Sequence, residues 1–171
     1  VAVHSSEYTK WDWETYTTSD GLISDTVIAI VKDHSDNMWF GTRNGLCRFD
    51  GYTIKTYRNS ADPHSISGNR ILSIAEDKDG YMWFGGRDGL LRYDGYQFIT
   101  LELEPDDPNG TRKRVSNVMD ILQDSRGDIW VASRGGLLRL DQDLLVLKKL
   151  SPEDGQNHTV YHDTVNRLGE A

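Results

Sequence analysis

Arg43, Arg87 and Arg134 each stand two residues before a glycine that opens a Gly-Leu pair. A guanidinium is a planar fork of N–H donors suited to carboxylate, sulfate or phosphate, so arginines at a recurring position suggest anion binding. The competing reading is that each arginine pins its own turn through carbonyls or a nearby Asp. Asp25, Asn69 and Ser116 recur upstream of the segments those turns adjoin, and Arg112-Lys113-Arg114 adds a basic cluster. Candidate ligand-binding residues are therefore Arg43, Arg87, Arg134, Asp25, Asn69, Arg112 and Arg114.

Other chemistries find little footing. His4, His34, His64, His158 and His162 are scattered, with no His-Glu-x-x-His and no repeated metal-ligand spacing. No Gly-x-Ser-x-Gly elbow is present. Asp77-Lys78-Asp79-Gly80 has the flavour of a calcium loop, but Tyr81-Met82-Trp83 follows where further ligands would be required. Asp33, Asp77 and Asp124 read instead as Asx-type turn residues. No catalytic residue, metal site or cofactor is expected. Cys47 is the single cysteine, which excludes an internal disulfide and suits a small core residue.

These residues ride on a repeat. Asn37-Met38-Trp39-Phe40-Gly41-Thr42-Arg43-Asn44-Gly45-Leu46-Cys47-Arg48-Phe49-Asp50-Gly51-Tyr52 returns as Tyr81-Met82-Trp83-Phe84-Gly85-Gly86-Arg87-Asp88-Gly89-Leu90-Leu91-Arg92-Tyr93-Asp94-Gly95-Tyr96. A more worn copy begins Asp128-Ile129-Trp130-Val131-Ala132-Ser133-Arg134, with Ala132 in place of the glycine after the Trp pair and Gln142 in place of the turn glycine. The tryptophans recur 44 and then 47 residues apart. A fixed period of that size signals stacked supersecondary units.

Each unit reads as four antiparallel strands. Thr26-Val27-Ile28-Ala29-Ile30-Val31 is nearly all apolar, as a strand buried on both faces would be. Residues 37–41, 45–49 and 52–57 follow as strands, with Asp50-Gly51 suited to a type I′ hairpin. Arg48, Arg92 and Arg139 precede Asp50, Asp94 and Asp141 by two residues, which places each pair on one side of a strand and suggests ion pairing. No segment carries helical apolar spacing over three turns. A four-stranded sheet with two apolar faces must stack on neighbours, and mid-strand tryptophans would fill the gaps.

The expected fold is all-β: β-propeller blades, a partial propeller of three full blades plus flanking strands. Its expected organisation is an N-terminal extension 1–10, an outer strand of a preceding blade 11–20, blades at 21–64, 65–111 and 112–155, and the first strand of a following blade at 156–171. On that reading the chain is a piece of a longer array. Exposed end faces and sheet edges then predict self-association.

With 19 basic against 27 acidic residues the net charge is −8, which argues against general nucleic-acid binding. No apolar run is long enough for a membrane helix.

The wording of the repeat resembles the two-component regulator propeller repeat. The resemblance implies the extracytoplasmic sensor β-propeller of bacterial hybrid histidine kinases and some diguanylate cyclases. It implies a periplasmic location, no catalysis in this segment, and an output kinase or cyclase domain elsewhere. Cations gathered on one face of an acidic protein suggest an anionic oligosaccharide as partner. The alternatives are a scaffold propeller without its own ligand and, less favoured, a propeller-based carbohydrate-active enzyme. Asn109-Gly110-Thr111 and Asn157-His158-Thr159 match the glycosylation acceptor pattern, and the bacterial origin that the resemblance implies would make these chance matches.

Overall fold

The computed structural model describes residues 14–103, 113–140 and 146–150. Three sheets follow one another along the chain. The first is β1 (Val27–Lys32), β2 (Met38–Thr42), β3 (Leu46–Phe49) and β4 (Ile54–Tyr57). The second is β5 (Ile71–Glu76), β6 (Met82–Gly86), β7 (Gly89–Tyr93) and β8 (Phe98–Leu103), with a two-residue strand β9 (Lys113–Arg114) added at its outer edge. The third is β10 (Val118–Gln123), β11 (Ile129–Ser133), β12 (Gly136–Leu140) and β13 (Val146–Leu150). Every neighbouring pair is antiparallel and every sheet is a meander in chain order. The first strand of each sheet carries an irregularity at the same place, between Val27 and Ala29, Ile71 and Ser73, and Val118 and Asp120. Such bulges increase twist, and here they do so at equivalent points of all three units.

β5 packs against both β1 and β10, so the first strands lie side by side and the later strands lie outward. Two apolar layers fill the spaces between sheets. Trp39 and Leu46 of the first blade meet Ile71, Ile74, Phe84, Leu91 and Phe98 of the second. Trp83 and Leu90 of the second meet Val118, Ile121, Val131 and Leu138 of the third. Trp39 and Trp83 are each 1% exposed, so the indoles are core, each burying on the order of 150–250 Å².

Gly41 and Gly85 explain why glycine follows the Trp-Phe pair. A Cβ on Gly41 would stand 2.9 Å from Cγ2 of Ile71, and one on Gly85 would stand 2.3 Å from Cγ1 of Val118. The next blade's first strand is seated on bare backbone at these points.

Three expectations need correction. β1 is not buried on both faces: its residues alternate, and Ile28 and Ile30 are exposed. Ile74 and Ile121, which hold the register position of Ile30, are buried against the preceding blade. No described residue offers Ile30 such a neighbour. The outer strand expected within 11–20 is not found in its described part, since residues 14–17 join no strand among the described residues and Thr18–Asp20 form a 3-10 turn capped by Thr17 and Gly21. Tyr16 nonetheless lies against Phe49, ring centroids 5.5 Å apart. The Asp-Gly hairpins also differ from type I′, because only the glycine takes positive φ, 94° at Gly51 and 96° at Gly95. The aspartate acts through its carboxylate: Asp50 accepts the amides of Tyr52 and Thr53 at 2.9 and 2.7 Å. The segments 1–10 and 156–171 and the turn residue Gln142 lie outside the described residues.

Candidate functional site

In a four-stranded meander, the turns joining first to second and third to fourth strands share one end of the sheet. The second-to-third turns share the other end with the connections between blades.

The first end is structural. Asp33, Asp77 and Asp124 close each first strand, and each carboxylate gathers the turn. Asp33 accepts the amides of Ser35 and Asn37, both at 2.9 Å, and the Trp39 indole N–H at 2.8 Å. Asp77 accepts from Asp79, Tyr81 and the Trp83 indole at 3.0, 2.9 and 2.7 Å. Asp124 accepts from Arg126, Asp128 and the Trp130 indole at 2.9, 3.1 and 3.0 Å. The turn reading of these aspartates thus matches the geometry. Burial alone would raise the Asp33 carboxyl, but the Trp39 indole and the Asn37 and Ser35 donors hold it below the usual range. The Trp130 indole is the main cause holding Asp124 low. Among the described residues no cluster of His, Cys, Asp and Glu is arranged to hold a metal ion.

Arg48 and Arg92 do not pair with Asp50 and Asp94 as expected, and Asp141, the expected partner of Arg139, lies outside the described residues. Arg48 and Arg139 lie over the rings of Trp39 and Trp130, each 5.7 Å from the centroid, and Arg92 lies 4.5 Å from that of Tyr81. Asp50 and Asp94 are engaged with their own turns instead. Arg139 also bonds to Asp128, Nε to Oδ2 at 2.8 Å.

The opposite end carries the candidate residues. Arg43, Arg87 and Arg134 occupy the second-to-third turns of the three blades, and all are exposed. The turns are held rigidly: Thr42 Oγ1 donates to the Gly45 carbonyl at 2.8 Å, and Ser133 Oγ donates to that of Gly136 at 2.9 Å. Gly45 has φ of 144°, and a Cβ there would stand 2.5 Å from the Tyr57 carbonyl, so only glycine fits. Neither a hydrogen bond nor an ion pair engages the Arg43, Arg87 or Arg134 guanidinium among the described residues. The reading in which each arginine pins its own turn therefore lacks its contacts; main chain and hydroxyls shape these turns.

The other candidates divide. Asp25 is exposed, and its carboxylate accepts the Thr18 amide at 2.7 Å. Asn69 is exposed, with Oδ1 accepting the Asn59 amide at 2.8 Å, which ties down the connection between blades 1 and 2. Both thus serve their loops. Arg114 lies in β9, its backbone paired opposite Glu102 at the outer edge of blade 2 rather than beside the first strands. Arg112 lies outside the described residues.

One residue was missed. Arg70 is exposed and immediately precedes β5, and its carbonyl accepts the Arg87 amide at 3.3 Å. The signal was available, since Arg70 holds the place before the first strand that Thr26 and Asn117 hold in the other copies.

The three meander sheets, stacked through Trp-bearing faces about their first strands, define this molecule as consecutive blades of a β-propeller. The two component regulator propeller profile matches residues 21–44, 65–88 and 114–135, one match in each blade. A histidine kinase of Formosa agariphila is 46% identical over 56 residues, 32% of this chain and 4% of the kinase. The extracellular domain of a one component system of B. thetaiotaomicron matches with a TM-score of 0.64 and 26% identity, over 77% of this chain and 20% of that one. A hybrid two component system ectodomain from the same organism shares the fold, with a TM-score of 0.69 and 24% identity over 81% of this chain and 20% of its own. The chain is a propeller segment of the sensor type found in two-component regulators, and it spans a small fraction of the length of each of these relatives.

Proposed function

We propose that this segment belongs to the periplasmic sensor of a transmembrane receptor whose kinase or cyclase output lies in another part of the protein. Ligand engagement at the propeller face carrying Arg43, Arg87 and Arg134 changes the state of that output. The ligand class is an anionic oligosaccharide. The observation that carries this reading is that three blades of one family place an exposed, unpartnered arginine on the same end of each sheet. On a chain of net charge −8, unpaired cations gathered at one end create a local field for an anion that the rest of the surface repels. A thermal-shift screen of acidic and neutral oligosaccharides tests it. Stabilisation by acidic members alone, abolished by combined Arg43→Ala, Arg87→Ala and Arg134→Ala substitution, is expected; stabilisation indifferent to these changes overturns it.

A second reading, association through blade faces, is favoured by Ile30. It is 59% exposed, whereas its counterparts Ile74 and Ile121 are 8% and 5% exposed beneath a Trp-bearing neighbour. The surface that suits it is another blade of this repeat, supplied by the same protein or by a second copy. Sedimentation of the 171-residue chain at micromolar concentration separates the two: oligomers dispersed by Ile30→Asp support copies pairing, and a clean monomer rejects it.

A further inference from the structure

We propose that the anion site is concentrated at the junction of blades 2 and 3, where Arg70, Arg87 and Arg134 form one cationic clamp held by Asn117. This deepens the anion-binding reading above and rests on it.

The clamp is built from main chain. The Arg87 amide donates to the Arg70 carbonyl at 3.3 Å, the Asn117 amide donates to the Arg87 carbonyl at 3.1 Å, and the Arg134 amide donates to the Asn117 carbonyl at 3.2 Å. Four residues from two blades and both inter-blade connections are thereby threaded on one ladder. Asn117 has φ of 50°, a left-handed conformation that asparagine tolerates better than most residues. It lets the connection present its amide to one blade and its carbonyl to the other.

Each hydrogen-bonded step separates two Cα atoms by about 5 Å, so Arg87 and Arg134 are on the order of 10 Å apart, with Arg70 one step beyond Arg87. Side chains of that length can converge on one oxyanion or bracket neighbouring ones along a chain. All three are exposed and lack a hydrogen-bond or ion-pair partner among the described residues. The backbone beneath them is fixed, so little ordering entropy of the turns opposes binding.

The contrast with Arg43 gives the inference its content. Arg43 holds the same turn position, but no ladder hydrogen bond ties its backbone to the connection that follows. Arg43 stands alone, whereas the other three act together. A ligand with two or more carboxylates or sulfate esters in one molecule matches the clamp; a single anion would engage only part of it. The acidic balance of the chain disfavours a nucleic-acid backbone as occupant.

Calorimetric titration of the 171-residue chain with a hexagalacturonate, a heparin-derived hexasaccharide, maltohexaose and inorganic sulfate tests this. One or both anionic hexamers should bind, the neutral hexamer should not, and sulfate should bind at least tenfold more weakly than the better hexamer. Arg70→Ala, Arg87→Ala and Arg134→Ala should each weaken hexamer binding about tenfold, the worth of one charge-assisted hydrogen bond, and Arg43→Ala less than about threefold. Arg87→Lys should recover only part of the loss, since an ammonium lacks the fork. Melting temperatures of the variants confirm that the fold is kept. If the hexamers bind but Arg43 matters most, the clamp falls while the anion-binding face stands. If neither hexamer binds, or maltohexaose binds equally well, both readings fall.

Discussion

The Trp39 indole N–H donates to Asp33 Oδ2 at 2.8 Å, joining the inter-blade core to the turn that closes the first strand. The same bond recurs between Trp83 and Asp77 and between Trp130 and Asp124, at 2.7 and 3.0 Å. One carboxylate thus shapes a turn and satisfies an indole whose ring must be buried between sheets. Trp39 is 1% exposed and Asp33 is 7% exposed, so neither partner can turn to water in compensation. Asp33→Ala should cost about 2–4 kcal/mol of stability, because a buried indole N–H and two turn amides lose a charged acceptor. Asp33→Asn should cost less, since its carbonyl oxygen can still accept from the indole. Urea unfolding followed by tryptophan fluorescence checks both, and a loss below about 0.5 kcal/mol for Asp33→Ala would refute the account.

Gly85 is a seat, not a hinge. A Cβ there would meet Val118 Cγ1 and Ser73 Oγ, both at 2.3 Å, in the joint between blades 2 and 3. Gly85→Ala should destabilise by about 1–3 kcal/mol through overpacking, and Val118→Ala in the same chain should return part of that loss. Ala132 already carries the methyl group at the equivalent place in blade 3. Ala132→Gly should therefore alter stability by no more than about 1 kcal/mol, the backbone cost of the glycine. Thermal melts of the four variants decide it; additive losses in the double variant would show that the two residues do not clash.

Much of this architecture was legible because the repeat wrote it three times. The Trp spacing, the glycine after each Trp-Phe pair and the Asp-Gly turns locate the strands to within a residue or two. What one chain could not reveal was context. Ile30 reads as a buried strand residue because its neighbours in sequence are apolar, but burial depends on whether another sheet faces it. The Asp-to-indole bond spans six residues around a turn, a spacing that no strand or helix period marks. Arg70 is out of register with the turn arginines, and Thr26 and Asn117 stand at its place in the other copies. Its role arises from a carbonyl contact to Arg87, which no residue type signals.

Acid should loosen the turns before the sheets. The Asp33 carboxyl is held low by the Trp39 and Asn37 donors against burial, and Asp124 by the Trp130 indole. A carboxyl whose folded pKa is depressed contributes stability that is present above its unfolded value of about 3.9 and is lost as pH falls through the folded value. The contribution of these two carboxyls should therefore be level from neutral pH to about 5 and fall below pH 4. Asp33→Asn should flatten that fall, since an amide does not titrate. Denaturant midpoints between pH 2.5 and 6 measure it, and an equally steep acid limb in the variant would rule Asp33 out as a source.

His34 and Glu76 give the joint between blades 1 and 2 an opposite dependence. The Glu76 carboxylate accepts the His34 amide at 2.9 Å and also bonds His34 Nδ1. In the next joint Gln123 accepts the Lys78 amide at 2.7 Å, so the backbone half of the latch is repeated and the charged half belongs to blades 1 and 2 alone. The hydrogen bond to Glu76 raises the His34 pKa, its charge and that of Asp33 add to the effect, and burial opposes it weakly. A histidine whose folded pKa is raised contributes stability that is complete below the unfolded value of about 6.5 and disappears as pH rises through the folded value. The amide bond to Glu76 survives that change, so the joint slackens without opening. The His34 side chain is 68% exposed, which leaves the ionic part open to screening by salt. Glu76→Gln should remove the charged half while keeping the acceptor that Gln123 already supplies next door. An NMR titration of the His34 ring should then show its midpoint falling toward 6.5, with the His34 amide still protected from exchange. A midpoint unmoved by Glu76→Gln would place the cause of the raised pKa somewhere other than this carboxylate.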